Sequence, residues 1–187
     1  MITMKDVIRD DNPNLRKTAS KIEFPLSSNL RKLASQMIQF LKDSQDEELA
    51  EKYKLRPGVG IAAPQLDVSK RMFAIHIPAD EEDDEDFSVV MINPRILSHS
   101  VKKTVLQDGE GCLSVDDPYE GYVPRKRRIT VEYFDLNGNK QKKRFKKFPA
   151  VVIQHELDHL DGILFYDHIN EAAPFYLDDD TNIFEDN

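Results

Sequence analysis

A second cysteine is missing. Cys112 stands alone in 187 residues, which excludes an internal disulfide, and a chain of this length buries a core without such a staple. No apolar run approaches a membrane span. The opening Met1-Ile2-Thr3-Met4-Lys5 lacks the apolar core of a signal peptide, so a cytoplasmic location without membrane attachment is expected. Basic residues are in deficit, with 26 Lys and Arg against 34 Asp and Glu and a formal charge of -8. That balance argues against broad or specific nucleic-acid binding. Internal repeats and linkers are also absent, so one domain over residues 1–187 is expected.

The charge that is present is uneven. Acid gathers at Asp80–Asp86 and Asp178–Asp180, and Lys140–Lys147 is a basic counterweight. Each run reads first as a solvated loop or strand face.

Asn12-Pro13 opens a short helix through Leu15 and Ala19, with asparagine as cap. Ser27 or Ser28 caps a longer one, in which Leu30, Leu33, Ala34, Met37, Ile38 and Leu41 repeat at helical period and pack a core. Asp46 to Leu55 adds a further turn or two before Pro57. Arg71–Ile77 and Phe87–Ile92 read as strands, the second closed by Asn93-Pro94. Val101–Leu106 adds another. Ile129–Asp135 and Lys140–Phe145 alternate around Asn137-Gly138, a hairpin signal. The acidic C-terminal tail is expected to fray. His76, His99 and His168 have no ligand spacing and are taken as structural.

Three stretches carry chemistry. In Gly58-Val59-Gly60-Ile61-Ala62-Ala63-Pro64-Gln65, two glycines among β-branched residues let the backbone approach a partner closely. No Lys-Ser/Thr ending or third glycine supports a phosphate loop. Gln65 is the one polar side chain there, able to donate to an oxyanion. Taken alone it also fits an ordinary surface glutamine.

The second stretch, Gly109-Glu110-Gly111-Cys112-Leu113-Ser114, places the thiol among glycines at an apparent strand end. A lone cysteine is commonly a small buried hydrophobe, but this setting suits an accessible thiolate.

The third is Gln154-His155-Glu156-Leu157-Asp158-His159. On a helix, His155 and His159 lie one turn apart and face one ion, with Glu156 beside it as proton carrier for metal-bound water. Pro149 fits the first turn and Gly162 the stop. Such a centre needs a third protein ligand. The long protease form of the motif would supply a histidine where this chain has Phe165. Cys112 is the unusual candidate, since a thiolate with two imidazoles makes a tripod for zinc or ferrous iron. A cysteine nucleophile with a histidine base would leave the second histidine and Glu156 without a role.

Together, and in this order, the three stretches resemble the motifs of the peptide deformylase family. The resemblance runs from about Met4 to Ile169. The connection through Asp80–Asp86 and the extra residues before Gly58 look like its insertion-bearing, Gram-positive branch.

The resemblance implies hydrolysis of the N-formyl group from the N-terminal formyl-methionine of nascent proteins, with release of formate. It implies one divalent ion on Cys112, His155 and His159, natively Fe(II), with Zn, Ni or Co as alternatives. Glu156 would be the general base and acid. Gln65 and the Leu113 N–H would hold the oxyanion. Val59, Gly60 and Gly111 would pair with the substrate backbone, and Arg125, Phe148, Val151 and Val152 would form the methionine pocket and its rim. A monomer is expected, with ribosome contact through Lys140–Lys147 in place of the basic C-terminal helix that some relatives have and this chain lacks.

The expected fold is α+β, with N-terminal helices and mostly antiparallel sheets around a central helix bearing two ligands. A strand would bear the third. Two rivals remain: a zincin-type peptidase with Glu171 or Glu185 as third ligand, and a formyl-peptide or metal-binding module without catalysis.

Overall fold

The computed structural model describes residues 1–79 and 85–184. Most of the Asp80–Asp86 run, and Glu185, therefore lie outside the described residues. Along the chain run α1 (Ser28–Gln45), α2 (Glu47–Tyr53), β1 (Gly60–Ala62), β2 (Met72–Ile77), β3 (Phe87–His99) and β4 (Lys103–Leu106). They are followed by β5 (Arg125–Lys126), β6 (Arg128–Phe134), β7 (Lys140–Lys146), α3 (Lys147–Asp161) and β8 (Thr181–Phe184). Short 3-10 turns occupy Pro13–Arg16, Ala63–Leu66 and Phe165–His168. The first of these stops short of Ala19, where the sequence pattern had carried the helix.

The local chemistry explains the boundaries. Ser27 caps α1 by accepting the Leu30 N–H at 3.3 Å, and Asp46 caps α2 by accepting that of Leu49 at 2.9 Å. Gly162 ends α3 in the left-handed region at φ 75. A Cβ there would lie 2.5 Å from the Arg16 carbonyl oxygen, so the position admits only glycine.

The larger sheet is antiparallel throughout, in the order β1-β2-β3-β6-β7. Alternation along β2 splits the core: Met72 and Ala74 face α1 with Met37, Phe40 and Leu41, while Phe73 and Ile75 face α3 with Ile153, Leu157 and Leu160. The ligand-bearing helix is thus clamped on an apolar sheet face.

Three expectations are corrected. Asn93-Pro94 does not end β3. Asn93 takes φ 50 and bonds through its side chain to the N–H and C=O of Ile22 at 2.9 and 2.8 Å. The resulting register shift between Ile92 and Arg95 accommodates the missing proline donor, and pairing resumes to His99. The tail does not simply fray, because β8 pairs in parallel with β4, from Thr181 against Lys103 to Phe184 against Leu106. Finally, Cys112 lies not on a strand but in the loop that leaves β4 at Leu106. Among the described residues, no helix is long and apolar enough to cross a membrane.

Candidate metal centre

Helix α3 presents His155 and His159 from successive turns, their ring centroids 5.0 Å apart. The loop after β4 brings Cys112 Sγ to 3.2 Å from His159 Nε2. The donor atoms of these three residues all lie within 4.8 Å of one another, the one such group among the described residues. Glu171, the rival third ligand that can be checked, is exposed and outside it.

Behind the ligands runs a chain of buried charge. Glu110 Oε2 stands 2.8 Å from His155 Nδ1, leaving Nε2 as the ring atom for a cation. Arg125 donates to both oxygens of Glu110, at 2.7 and 2.8 Å, and to Asp158 at 2.5 Å. His168 in turn meets Asp158 at 2.7 Å. Arg125 is therefore not a rim residue. It is 3% exposed and points inward to its two carboxylates. No local pattern marks Asp158 or the inward turn of the arginine. For Glu110, the flanking glycines were the available signal.

These contacts set the charge states. Burial opposes ionisation of Glu110, but the Arg125 charge and hydrogen bonds and the bond to His155 overcome it, bringing its pKa to about 2. Burial likewise opposes the Cys112 thiolate, and attraction from His159 and His155 draws the thiol well below its ordinary range. His155 is held well above its ordinary value, against burial, by Cys112 and Glu110. Glu156 behaves oppositely: burial pushes it up to about 7, against the pull of both histidines. Its Oε2 is buried with no partner among the described residues. Its Oε1 lies over Gly60, where a Cβ would come within 2.3 Å. A thiolate, two imidazoles and a poised neighbouring carboxylate fit a divalent cation of soft or borderline character.

Gln65 is buried, not a surface residue. Its Oε1 accepts the Ala62 N–H at 2.8 Å, and its Nε2 donates to Ser114 Oγ at 3.1 Å and lies 3.5 Å from Cys112 Sγ. Leu113 packs its side chain against Gly58. Two wall residues escaped the sequence reading. Arg56 Nη2 donates to the carbonyls of Cys112 and Val115 at 3.1 and 2.9 Å. Gln45 Nε2 donates to those of Gly58 and His76 at 2.7 and 3.0 Å.

A cleft of about 400 Å³ opens over these groups. Val59, Gly60 and Gly111 line it together with Gln65, Cys112, Leu113, His155 and Glu156, and Phe148, Val151 and Val152 give it an apolar wall. β1 is an edge strand paired with β2 alone. The Val59 carbonyl on its approach already accepts the His76 N–H at 2.9 Å.

A family model described as polypeptide deformylase matches residues 4–174. The chain is 56% identical over 186 residues to the peptide deformylase of Ligilactobacillus salivarius, covering 99% of this chain and 100% of that one. It is 55% identical over 184 residues to that of Listeria monocytogenes, covering 98% and 100%. Among solved structures, the Met-Ala-Ser-bound class I type b peptide deformylase of Acinetobacter baumannii superposes with a TM-score of 0.69 at 34% identity, over 87% of this chain and 96% of that one. With the motifs, the fold and the full-length relatives in agreement, the chain belongs to the polypeptide deformylase family.

Proposed function

We infer that the chain is a metallohydrolase that removes the N-formyl group from formyl-methionyl nascent peptides and releases formate. The observation that carries this is the meeting of Cys112, His155 and His159 beside buried Glu156 and Gln65 in one cleft. In this reading the three ligands hold one divalent ion, natively Fe(II), which Zn, Ni or Co can replace. When bound, the ion supplies Lewis acidity that makes water nucleophilic near neutral pH.

The chain's own residues do the rest. Glu156, poised near neutrality, takes the proton of the attacking water and passes it to the amine as the formyl C–N bond breaks. Gln65 Nε2 and the Leu113 N–H donate to the developing oxyanion. The open edge of β1 at Gly60, with Val59 just before it and Gly111 opposite, holds the peptide as an added strand. Phe148, Val151 and Val152 receive the methionine side chain, and Arg125 acts from behind through Glu110. That the Acinetobacter relative was solved with Met-Ala-Ser bound supports a peptide beginning with methionine as the occupant of the cleft.

We take residues 1–187 as one catalytic domain, working as a monomer in the cytoplasm where nascent chains leave the ribosome. Anaerobic assay of formyl-Met-Ala-Ser with metal analysis tests the whole. Cys112→Ala should lose both ion and turnover, whereas an ion retained by that variant would favour a zincin-type peptidase.

A further inference from the structure

The basic strand is more than a solvated face. In the β6–β7 register Arg128 stands opposite Lys146, Thr130 opposite Arg144, and Glu132 opposite Lys142, which puts these side chains on the outer face while Ile129, Val131 and Phe145 turn into the core. Two cations placed directly across a sheet repel each other. Among the described residues no carboxylate pairs with either: the face's own, Glu132, is engaged by Arg95 at 2.9 Å and Lys140 at 3.6 Å. Among the described residues, Arg128, Lys142, Arg144 and Lys146 form no ion pair. A molecule of net charge -8 thus keeps four cations on one face without an ion-pair partner among the described residues.

A recess of about 190 Å³ lies on this face, with Arg128 and Arg144 among its walls and Ser98 and Thr130 between them. Guanidinium groups beside hydroxyls are the donors that hold phosphate oxygens. A row of side chains spaced about 6.7 Å apart along a strand meets a linear polyanion repeatedly, whereas a planar lipid surface would leave the recess unused. β7 is also the outer strand of its sheet, so nothing in that sheet covers it from the side.

We propose that the outer face of β6 and β7 docks on the phosphate backbone of RNA, reading charge and not sequence. The choice of RNA rests on the inference that the substrate is a nascent chain, which is made on an RNA-built machine. Overall charge excluded broad nucleic-acid affinity, but a local edge is enough for docking, and it leaves the cleft free.

The test uses the full chain, a fluorescent RNA duplex and a salt series, with phosphatidylglycerol vesicles as the competing surface. Wild type should bind the duplex with log K falling against log salt at a slope of about -3.6, as expected for about four phosphates. Lys142→Glu/Arg144→Glu/Lys146→Glu should weaken binding at least ~30-fold, with turnover of free formyl-Met-Ala-Ser unchanged. Arg128→Gln/Arg144→Gln is the milder variant should the charge reversal disturb folding, and it too should lower affinity and flatten the slope. Equal RNA affinity in wild type and folded variants would overturn the proposal, as would vesicle binding without RNA binding. Turnover is read separately, so a failure of the catalytic assignment is distinguishable from a failure of docking.

Discussion

Glu110 and His155 are joined at 2.8 Å, carboxylate oxygen to ring Nδ1, and the other side of that carboxylate is filled by Arg125. The orientation of the imidazole is thus set two side chains away from the cleft. Glu110→Gln should weaken divalent-ion affinity about 10- to 100-fold, measured by competition with a chelator, because the substituted amide orients the ring less firmly.

Arg125→Met should destabilise the fold by about 3–5 kcal/mol in urea unfolding, since Glu110 and Asp158 would be left buried without their cation. A variant as stable as wild type would show that the arginine is not what holds these carboxylates.

Acid stability follows from the same carboxylate. Glu110 titrates at about 2 in the folded chain against 4.5 ordinarily. Its contribution, roughly 3 kcal/mol, is therefore full above about pH 4.5 and lost as pH falls through 2. Denaturant midpoints measured across that window should fall steeply for wild type and less steeply for Glu110→Gln.

Glu156 has the opposite sign. Its folded pKa of about 7 lies above its ordinary 4.5, so ionising it costs stability progressively from pH 4.5 to 7 and by a constant amount above. Metal-free Glu156→Gln should then be more stable than wild type at pH 8, by roughly 3 kcal/mol, and equal to it at pH 4. Its turnover should be abolished, and undiminished turnover would remove the acid/base role from this residue.

Gly60→Ala drives a methyl group into the Glu156 carboxylate, and a displacement of that kind should lower kcat about 100-fold. Gly111→Ala meets no protein atom, so its effect should fall on KM for the peptide and leave kcat near wild type. Comparing the two separates loss of positioning from a general effect of replacing cleft glycines.

Gln65→Ala removes an amide held in place by Ala62 and Ser114. The expected loss is about 100- to 1,000-fold in kcat with little change in KM. A loss confined to KM would mean that Gln65 binds substrate without favouring the transition state.

Legibility in the sequence followed the range of the interactions. The i, i+4 histidines, the caps at Ser27 and Gly162, and the hairpin at Asn137-Gly138 depend on neighbours in the chain, and each was readable. The Cys112 partnership was read from chemistry, since two imidazoles and a thiol lacked other employment. What escaped depended on distant partners. Asn93-Pro94 looked like a stop because the Ile22 backbone that supports its bulge is 71 residues away. β8 carries no strong alternation and exists because β4 offers an edge. Arg125 was given to the rim because nothing local announces the two acids that draw it inward.

The two sheets share no strand, yet Arg125 at the start of β5 grips Asp158 on α3, and Glu110 just past β4 grips His155 on the same helix. These polar ties lash the small sheet to the helix that rides on the large one. Loosening any of them should be felt as faster amide exchange along β4 and β8, so the small sheet serves as a distant gauge of whether the centre is intact.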